Sequence, residues 1–326
     1  MTVVLVNPNY QSNIEAIAQT TVGPPMGLAY LAGALRAADI PVRIVDANGL
    51  RLEDAETIAR ARWHDASLIG LTATTPTIDL CISLARGFRF SGYKGPIVLG
   101  GPHPSALPEQ TLNTEPALTA VALGEAERTI VDLAQAIAAG RPLTEVAGLV
   151  VRDGDNLIRT PDRTDQPAVN DLAPPARDLL PLDAYLSPDG SSTMTVIASR
   201  GCPAPCSYCA VPRHFGRHLR RRDPDQIADE IADLVARYNT KWIDFIDDTF
   251  TWNRTWVLNL CEALRKRGLH KKIQWLCLTR VDRVDLELLQ IMRAAGCRRI
   301  EMGIECASVD GLEALKKGID EQQVIE

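Results

Sequence analysis

The sequence predicts an α/β protein in two domains. A doubly wound, Rossmann-like parallel sheet occupies residues 1–150, and a partial, TIM-like (β/α) barrel occupies residues 191–326. A proline-rich stretch with a hairpin, residues 151–190, joins them. Three observations lead to this reading. Short apolar runs alternate with amphipathic ones, the pattern of parallel strands covered by helices on both faces. The alternation stops near Val150 and resumes at Thr193. In the gap stand Pro161, Pro167, Pro174, Pro175, Pro181 and Pro188, a spacing that no long helix tolerates.

The first domain follows element by element. Strands are expected at Val3–Val6, Val42–Asp46, Ser67–Thr72, Ile97–Gly100 and Ala120–Gly124. Helices are expected at Gly27–Ala38, Leu52–Trp63, Thr77–Phe88 and Glu127–Ala138, with a short piece near Leu107–Asn113. In such a sheet the ligand site lies beyond the carboxyl ends of the strands. Those ends carry Asn7-Pro-Asn-Tyr10, Thr72-Ala-Thr-Thr-Pro76, Gly100-Gly-Pro-His-Pro104 and Gly124-Glu125, all turn-forming or polar. Asp153-Gly-Asp-Asn156 predicts a hairpin turn between Leu149–Arg152 and Leu157–Arg159. In the second domain, strands are expected at Met194–Ala198, Trp242–Ile246, Ile273–Leu278 and Arg299–Gly303. The helices expected between and after them are Pro224–Tyr238, Arg254–Arg267, Asp285–Ala295 and Val309–Lys316. Four β/α units cannot close an eight-stranded barrel, so the expectation is a fragment whose remaining units follow Glu326.

Composition narrows the function classes. Hydrophobic residues at 46% and charged residues at 23% exclude disorder as the overall state. A formal charge of -6 disfavours a broad nucleic-acid surface, and the Arg217–Arg222 run is expected to be a solvated helix-entry face. No run of about eighteen apolar residues exists, so no membrane span is expected. The start, Met1-Thr-Val-Val-Leu-Val-Asn-Pro, lacks the basic n-region of a signal peptide. Of eight cysteines, Cys81, Cys261, Cys277, Cys297 and Cys306 are scattered through apolar surroundings. Cys202, Cys206 and Cys209 are clustered, which fits a reduced cytoplasmic chain with one metal site better than a disulfide scaffold.

That cluster, Cys202-Pro-Ala-Pro-Cys-Ser-Tyr-Cys209, directly follows the first strand of the second domain. Three thiolates can hold one corner of a [4Fe–4S] cubane, which usually takes four, and so leave one iron open to chelate a small molecule. A zinc site is the alternative, because His214 and His218 follow. Zinc-finger spacing places about twelve residues before the first histidine, whereas four separate Cys209 from His214.

The C-x3-C-x2-aromatic-C spacing after a first barrel strand resembles the radical S-adenosylmethionine (SAM) enzymes. The resemblance implies that Cys202, Cys206 and Cys209 hold the cluster, that SAM caps the fourth iron, and that reductive cleavage of SAM yields a 5′-deoxyadenosyl radical. It implies further that Tyr208 lies near the adenine. Asp247 and Asp248 in Phe245-Ile-Asp-Asp-Thr-Phe250 would meet the SAM amino group, and Arg280 its carboxylate. Glu305, in Met302-Gly-Ile-Glu305, would lie near the ribose. For the two aspartates a helix N-cap is the structural alternative. An external electron donor of flavodoxin or ferredoxin type is implied as a partner.

The first domain has neither the G-x-G-x-x-G nor the Walker A pattern. Gly23-Pro-Pro-Met-Gly-Leu-Ala-Tyr-Leu-Ala32, Val98-Leu-Gly-Gly-Pro-His103 and Leu123-Gly-Glu125, taken with Pro174-Pro-Ala-Arg-Asp-Leu-Leu-Pro181, resemble the cobalamin-dependent branch of the same family. The cobalamin contacts implied are Asn9, Thr72, Thr74, Gly100, Gly101, His103, Gly124 and Glu125. Other cobalamin domains carry D-x-H-x-x-G after the first strand. Here Asn9 stands where the cobalt-ligating histidine would be, and an amide is a poor cobalt ligand. Cobalamin held without a histidine below the cobalt is therefore expected.

The leading expectation is methyl transfer to an unactivated carbon of a small molecule. One SAM would methylate cobalamin, and a second would supply the radical that activates the substrate. Ring formation, ring contraction or oxidation without methyl transfer is the runner-up. A non-catalytic cobalamin or SAM sensor is the third class, disfavoured because a sensor needs no reducible open cluster. With two barrel strands missing, the 326-residue chain is expected to cleave SAM slowly and to be prone to association at its exposed edge.

Overall fold

A computed structural model describes residues 1–10, 23–187 and 189–325. Gln11 and Ser12, which follow the first rim segment, and Pro188 of the proline series lie outside the described residues. The chain forms two compact units, Met1–Pro167 with Asp171–Tyr185, and Ala168–Asn170 with Leu186–Glu326.

In the first unit, β1 (Val3–Asn7), β2 (Val42–Asp46), β3 (Leu68–Thr72), β4 (Ile97–Gly100) and β5 (Ala120–Ala122) run parallel. Then β6 (Leu149–Asp153) and β7 (Asn156–Arg159) add antiparallel, in the order β2-β1-β3-β4-β5-β6-β7. The period-2 geometry of a strand divides the apolar side chains between two faces. Val4, Val6, Ile69, Leu71, Ile97 and Leu99 pack on one face against α3 (Ile78–Phe90), through Leu84 and Phe88. Val3, Leu5, Leu68 and Val98 pack on the other against α1 (Met26–Ala37) and α5 (Glu127–Ala138), through Leu28, Leu35 and Leu133. Each such side chain, fully buried, contributes about 1.5–3 kcal/mol. Two further helices, α2 (Asp54–Arg60) and α4 (Pro108–Thr114), fall where helical periodicity places them.

The expected connector 151–190 differs from the structure. The hairpin is part of the first sheet, and the proline-rich segment after it packs on α1. A Cβ on Gly33 would meet the Pro174 carbonyl oxygen at 2.2 Å, so only glycine lets the segment this close. Ala176 N–H donates to the Ala29 carbonyl at 2.9 Å, and Arg36 pairs with Asp178 at 2.7 Å. Prolines ruled out a long helix there, leaving only the 3-10 turns Arg177–Leu179 and Leu182–Tyr185, but they did not prevent the segment from packing.

In the second unit, β8 (Ser192–Val196) leads to a two-residue strand β9 (Ser199–Arg200), which pairs antiparallel with β10 (Arg220–Arg221). That pair closes the loop carrying the three cysteines. Next come α6 (Pro224–Tyr238), β11 (Thr240–Phe245), α7 (Arg254–Lys266), β12 (Gln274–Thr279), α8 (Leu286–Ala294), β13 (Cys297–Met302) and α9 (Val309–Ala314). Four strands form one parallel sheet in the order β13-β12-β11-β8. Beneath it Phe245, Phe250, Trp256 and Trp275 form an aromatic cluster with centroids 4.9–5.6 Å apart. Burial of Trp275 is satisfied by its Nε1–H donating to the Ala295 carbonyl at 3.0 Å.

The arginine run is only partly the solvated face expected of it: Arg217 is exposed, while Arg220, Arg221 and Arg222 are half-buried. Arg217 Nη1 donates to the Ala204 carbonyl at 2.8 Å, and Arg220 Nη2 to the Phe215 carbonyl at 3.3 Å. Arg222 pairs with Glu230 at 2.6 Å. Arg217 and Arg220 thus brace the cysteine loop, and Arg222 ties its far end to α6.

Candidate functional site

At the carboxyl edge of the first sheet the strand order reverses between β1 and β3, where ligands of open α/β sheets bind. Asn7 and Asp46 end β1 and β2, with Asn7 Nδ2 donating to Asp46 Oδ1 at 2.8 Å. The Tyr185 hydroxyl donates to the other Asp46 oxygen. Asn9 stands on this rim, its Nδ2 donating to the Leu52 carbonyl at 3.2 Å. Thr72 ends β3, and Thr74 opens the next turn with its N–H donating to Thr77 Oγ1 at 2.9 Å. Gly100 ends β4. Gly101 has φ +104°, and a Cβ there would meet the Ala73 carbonyl oxygen at 2.5 Å, so the turn admits no side chain. His103 Nδ1 lies 3.1 Å from Thr75 Oγ1. Ser105 Oγ donates to the Gly101 carbonyl at 2.7 Å and accepts from Gly124 N–H at 3.0 Å, tying the ends of β4 and β5 together. The Glu125 carbonyl accepts from Gln166 Nε2 at 2.5 Å. Apart from its side-chain contacts, then, each rim residue named from sequence lies at or beside a strand end.

In the second unit a cavity of about 450 Å³ opens at the strand ends. Its wall includes Cys202, Cys206, Cys209, Tyr208, Asp248, Arg280 and Glu305. All three thiols are free, and Cys202 and Cys206 are each 8% exposed. Asp248 titrates at about 6 because burial raises its carboxyl. Thr249 Oγ1 lies 3.4 Å from Cys202 Sγ.

Asp247 is the exception among the residues named from sequence. It is 1% exposed and accepts from Ala198 N–H at 3.2 Å and from Ser199 Oγ. Asp248 lines the cavity, and Asp247 fastens the start of β9 to the chain leaving β11. Burial is the first cause that pushes Asp247 up to about 7.

Arg280 is also more committed than the sequence suggested. Its Nε and Nη2 donate to Asp282 at 2.8 and 3.2 Å, Nη2 donates to the Lys317 carbonyl at 2.7 Å, and Nη1 donates to Cys206 Sγ at 3.6 Å.

Sequence reasoning missed Lys317. It is 5% exposed and lines the cavity, its Nζ 2.9 Å from the Tyr208 hydroxyl and 3.4 Å from Glu305 Oε1. Burial would lower its pKa, but the bond to Tyr208 and the nearby Glu305 carboxylate prevail and raise it. Lys316 and Lys317 look alike at the end of a helical pattern; the left-handed turn at Lys316, φ +51°, is what brings Lys317 inward. Ser207 N–H donates to the Leu315 carbonyl at 3.0 Å and Ser207 Oγ to the Ala314 carbonyl at 3.2 Å. The segment after α9 thus clasps the cysteine loop.

The donor set suits a cluster better than a single ion. Zinc sites take four ligands, and neither His214 nor His218 is on the cavity wall. Among the described residues no three His, Cys, Asp or Glu side chains converge on a one-ion site. Three thiolates with room beside them fit a cubane with one iron open to a small molecule.

A doubly wound domain with an open rim, followed by β/α units bearing three thiols at their strand ends, defines a two-domain α/β protein built for two cofactors. The description "B12 binding domain" matches residues 16–134 and "Radical SAM superfamily" matches residues 196–326. An uncharacterized methyltransferase of Pyrococcus horikoshii is 34% identical over 326 residues, covering 100% of this chain and 70% of its own length. The anaerobic magnesium-protoporphyrin IX monomethyl ester cyclase of Cereibacter sphaeroides is 31% identical, covering 97% of this chain and 52% of its own. The radical SAM methyltransferase TsrM of Kitasatospora setae, solved with cobalamin and a [4Fe–4S] cluster, superposes with a TM-score of 0.78 at 19% identity. That match covers 97% of this chain and 60% of the solved one, and it shows a shared fold. The chain belongs to the cobalamin-dependent radical SAM family. It spans about half the length of the cyclase relative.

Proposed function

We propose that the protein methylates an unactivated carbon of a small molecule, using a [4Fe–4S] cluster, SAM and cobalamin. The observation that carries this is the single cavity lined by three free thiols, Tyr208, Asp248 and Glu305, in a chain whose other unit has the B12-binding fold. When bound, the cluster supplies the electron that cleaves SAM, and cobalamin carries the methyl group. Cys202, Cys206 and Cys209 hold the cluster. Asp248 accepts from the SAM ammonium, Glu305 accepts from the ribose, and Tyr208 covers the adenine. On the first unit, Thr72, Thr74, Gly100, Gly101, His103, Gly124 and Glu125 hold cobalamin, with no histidine in the place of Asn9. A flavodoxin- or ferredoxin-like donor in the cytoplasm supplies the electron. No described helix is long and apolar enough to cross a membrane.

The second reading, radical cyclisation or oxidation without methyl transfer, is favoured by the similarity to the cyclase. One measurement separates the two. In an anaerobic assay of reconstituted protein with cobalamin, SAM and candidate substrates, carbon methylation yields S-adenosylhomocysteine and 5′-deoxyadenosine in equal amounts. Cyclisation yields 5′-deoxyadenosine alone. Formation of neither with any candidate, while a Cys202, Cys206 and Cys209 triple alanine variant behaves identically, overturns both readings.

A further inference from the structure

Arg280 has a place in the second unit that its expected role does not explain. Its guanidinium is 8% exposed in the side chain, gripped from one side by Asp282, which is itself 12% exposed. The Lys317 carbonyl accepts from the same Nη2 that meets Asp282 Oδ2, and the opposite nitrogen, Nη1, points at Cys206 Sγ. The cation thus lies between a carboxylate and a sulfur, with every guanidinium nitrogen partnered. A group so committed is badly placed to turn toward the carboxylate of an incoming ligand, because the Asp282 bond would be lost in a water-poor setting.

We infer that Arg280 is a positioning residue that sets the reduction potential of the cluster held by Cys206, with Asp282 opposing it. The inference rests on the cluster assignment made above. An electron delivered by a low-potential donor leaves that donor oxidised by one and adds one negative charge to the cluster, shared by its sulfurs. Hydrogen bonds and positive charge at a ligating sulfur stabilise the more negative state, so they raise the potential. Arg280 supplies both at Cys206. Asp282, on the far side of the guanidinium, supplies a partly cancelling negative charge and orients the donor. The clasp after α9 completes the device, because the Lys317 carbonyl holds the guanidinium from a third direction.

The two members of the pair therefore pull the potential in opposite directions. A purely structural brace would not do this, since breaking it from either end loosens the same loop. The test is a dithionite titration of the anaerobically reconstituted 326-residue chain, followed by the electron paramagnetic resonance signal of the reduced cluster. Iron and sulfide content are measured alongside. With cluster loading at wild-type level, Arg280→Gln is expected to lower the ratio of reduced to oxidised cluster at a fixed ambient potential by roughly tenfold, about 59 mV for one electron. Asp282→Asn is expected to raise it, by roughly threefold. Arg280→Lys, which keeps charge without the fork, should fall between wild type and Gln. Should Arg280→Gln fail to take up a cluster, the sign of the Asp282→Asn shift decides. Shifts in the same direction for both partners, or an unmoved or lowered potential in Asp282→Asn, overturn the inference. A wild-type chain that takes up no cluster is a different failure, that of the cysteine assignment itself.

Discussion

Gly101 and Asp247 show how single residues set local constraints. Gly101 combines φ +104° with a would-be Cβ contact of 2.5 Å to the Ala73 carbonyl oxygen. Residues forced into such backbone cost on the order of 1–3 kcal/mol, and the overlap adds to that. Gly101→Ala should therefore lower stability by about 2 kcal/mol or more in chemical denaturation, and weaken cobalamin binding in equilibrium dialysis. A stable variant with unchanged cobalamin affinity would remove this turn from the proposed site. Asp247 predicts a pH dependence. Its carboxyl is pushed up to about 7 in the folded chain, against about 3.9 when unfolded. Between those values the folded state holds a proton that the unfolded state has lost. Stability should accordingly fall as pH rises through that window, by up to about 1.4 kcal/mol per unit for this group. The lowered carboxyls, Asp165, Asp189 and Asp285, titrate below the window and do not oppose the trend. Asp248 and Asp244, each raised to about 6, reinforce it. Thermal unfolding at pH 5.5 and 7.5 checks the sign, and Asp247→Asn should flatten the difference.

At the scale of elements, the cysteine loop is held by two devices distant in sequence. β9 and β10 pinch its ends, and the segment after α9 clasps its middle through Ser207 and Tyr208. Gly201 allows the pinch, since a Cβ there would meet the His218 carbonyl oxygen at 2.5 Å. Lys317 contributes the charged bond of the clasp and a cation on the cavity wall. Hydrogen bonds to charged groups are worth about 1.5–3 kcal/mol. Lys317→Met should therefore weaken SAM binding by roughly tenfold or more, an effect of about that size, with iron loading close to wild type. Anaerobic equilibrium dialysis of SAM against reconstituted protein measures it. Unchanged affinity would mean that the clasp is dispensable for the cavity.

For the whole molecule, the division into two compact units has a direct consequence. Each proposed cofactor draws its ligating residues from one unit, and effects at sites with no shared partners are close to additive. The Cys202, Cys206 and Cys209 triple alanine variant should bind cobalamin with wild-type affinity while holding almost no cluster iron. Replacement of Cys81, Cys261, Cys277, Cys297 and Cys306 should leave the cluster in place, because none of these lines the cavity. Iron, sulfide and the cobalamin visible spectrum report both results. Loss of cobalamin from the triple variant would show that the sites are coupled.

The linear order of residues determined the alternation of strands and helices, and with it the two α/β domains. A period of two and a period of 3.6 are local properties that burial enforces one element at a time. It also determined the cysteine cluster, because loop ligands close together in sequence stay close in any fold. Tertiary structure alone decided that the segment around Pro174 packs on α1, that Asp248 and not Asp247 faces the cavity, and that Arg280 points at Cys206. Lys317 entered the site only through a left-handed turn at Lys316. These outcomes depend on which way a side chain at a strand end faces and on partners tens of residues away, such as Cys206 and Arg280 at a separation of 74 in sequence. Side-chain spacing along the chain carries no such information, since contacts of that range exist only once the sheet has assembled.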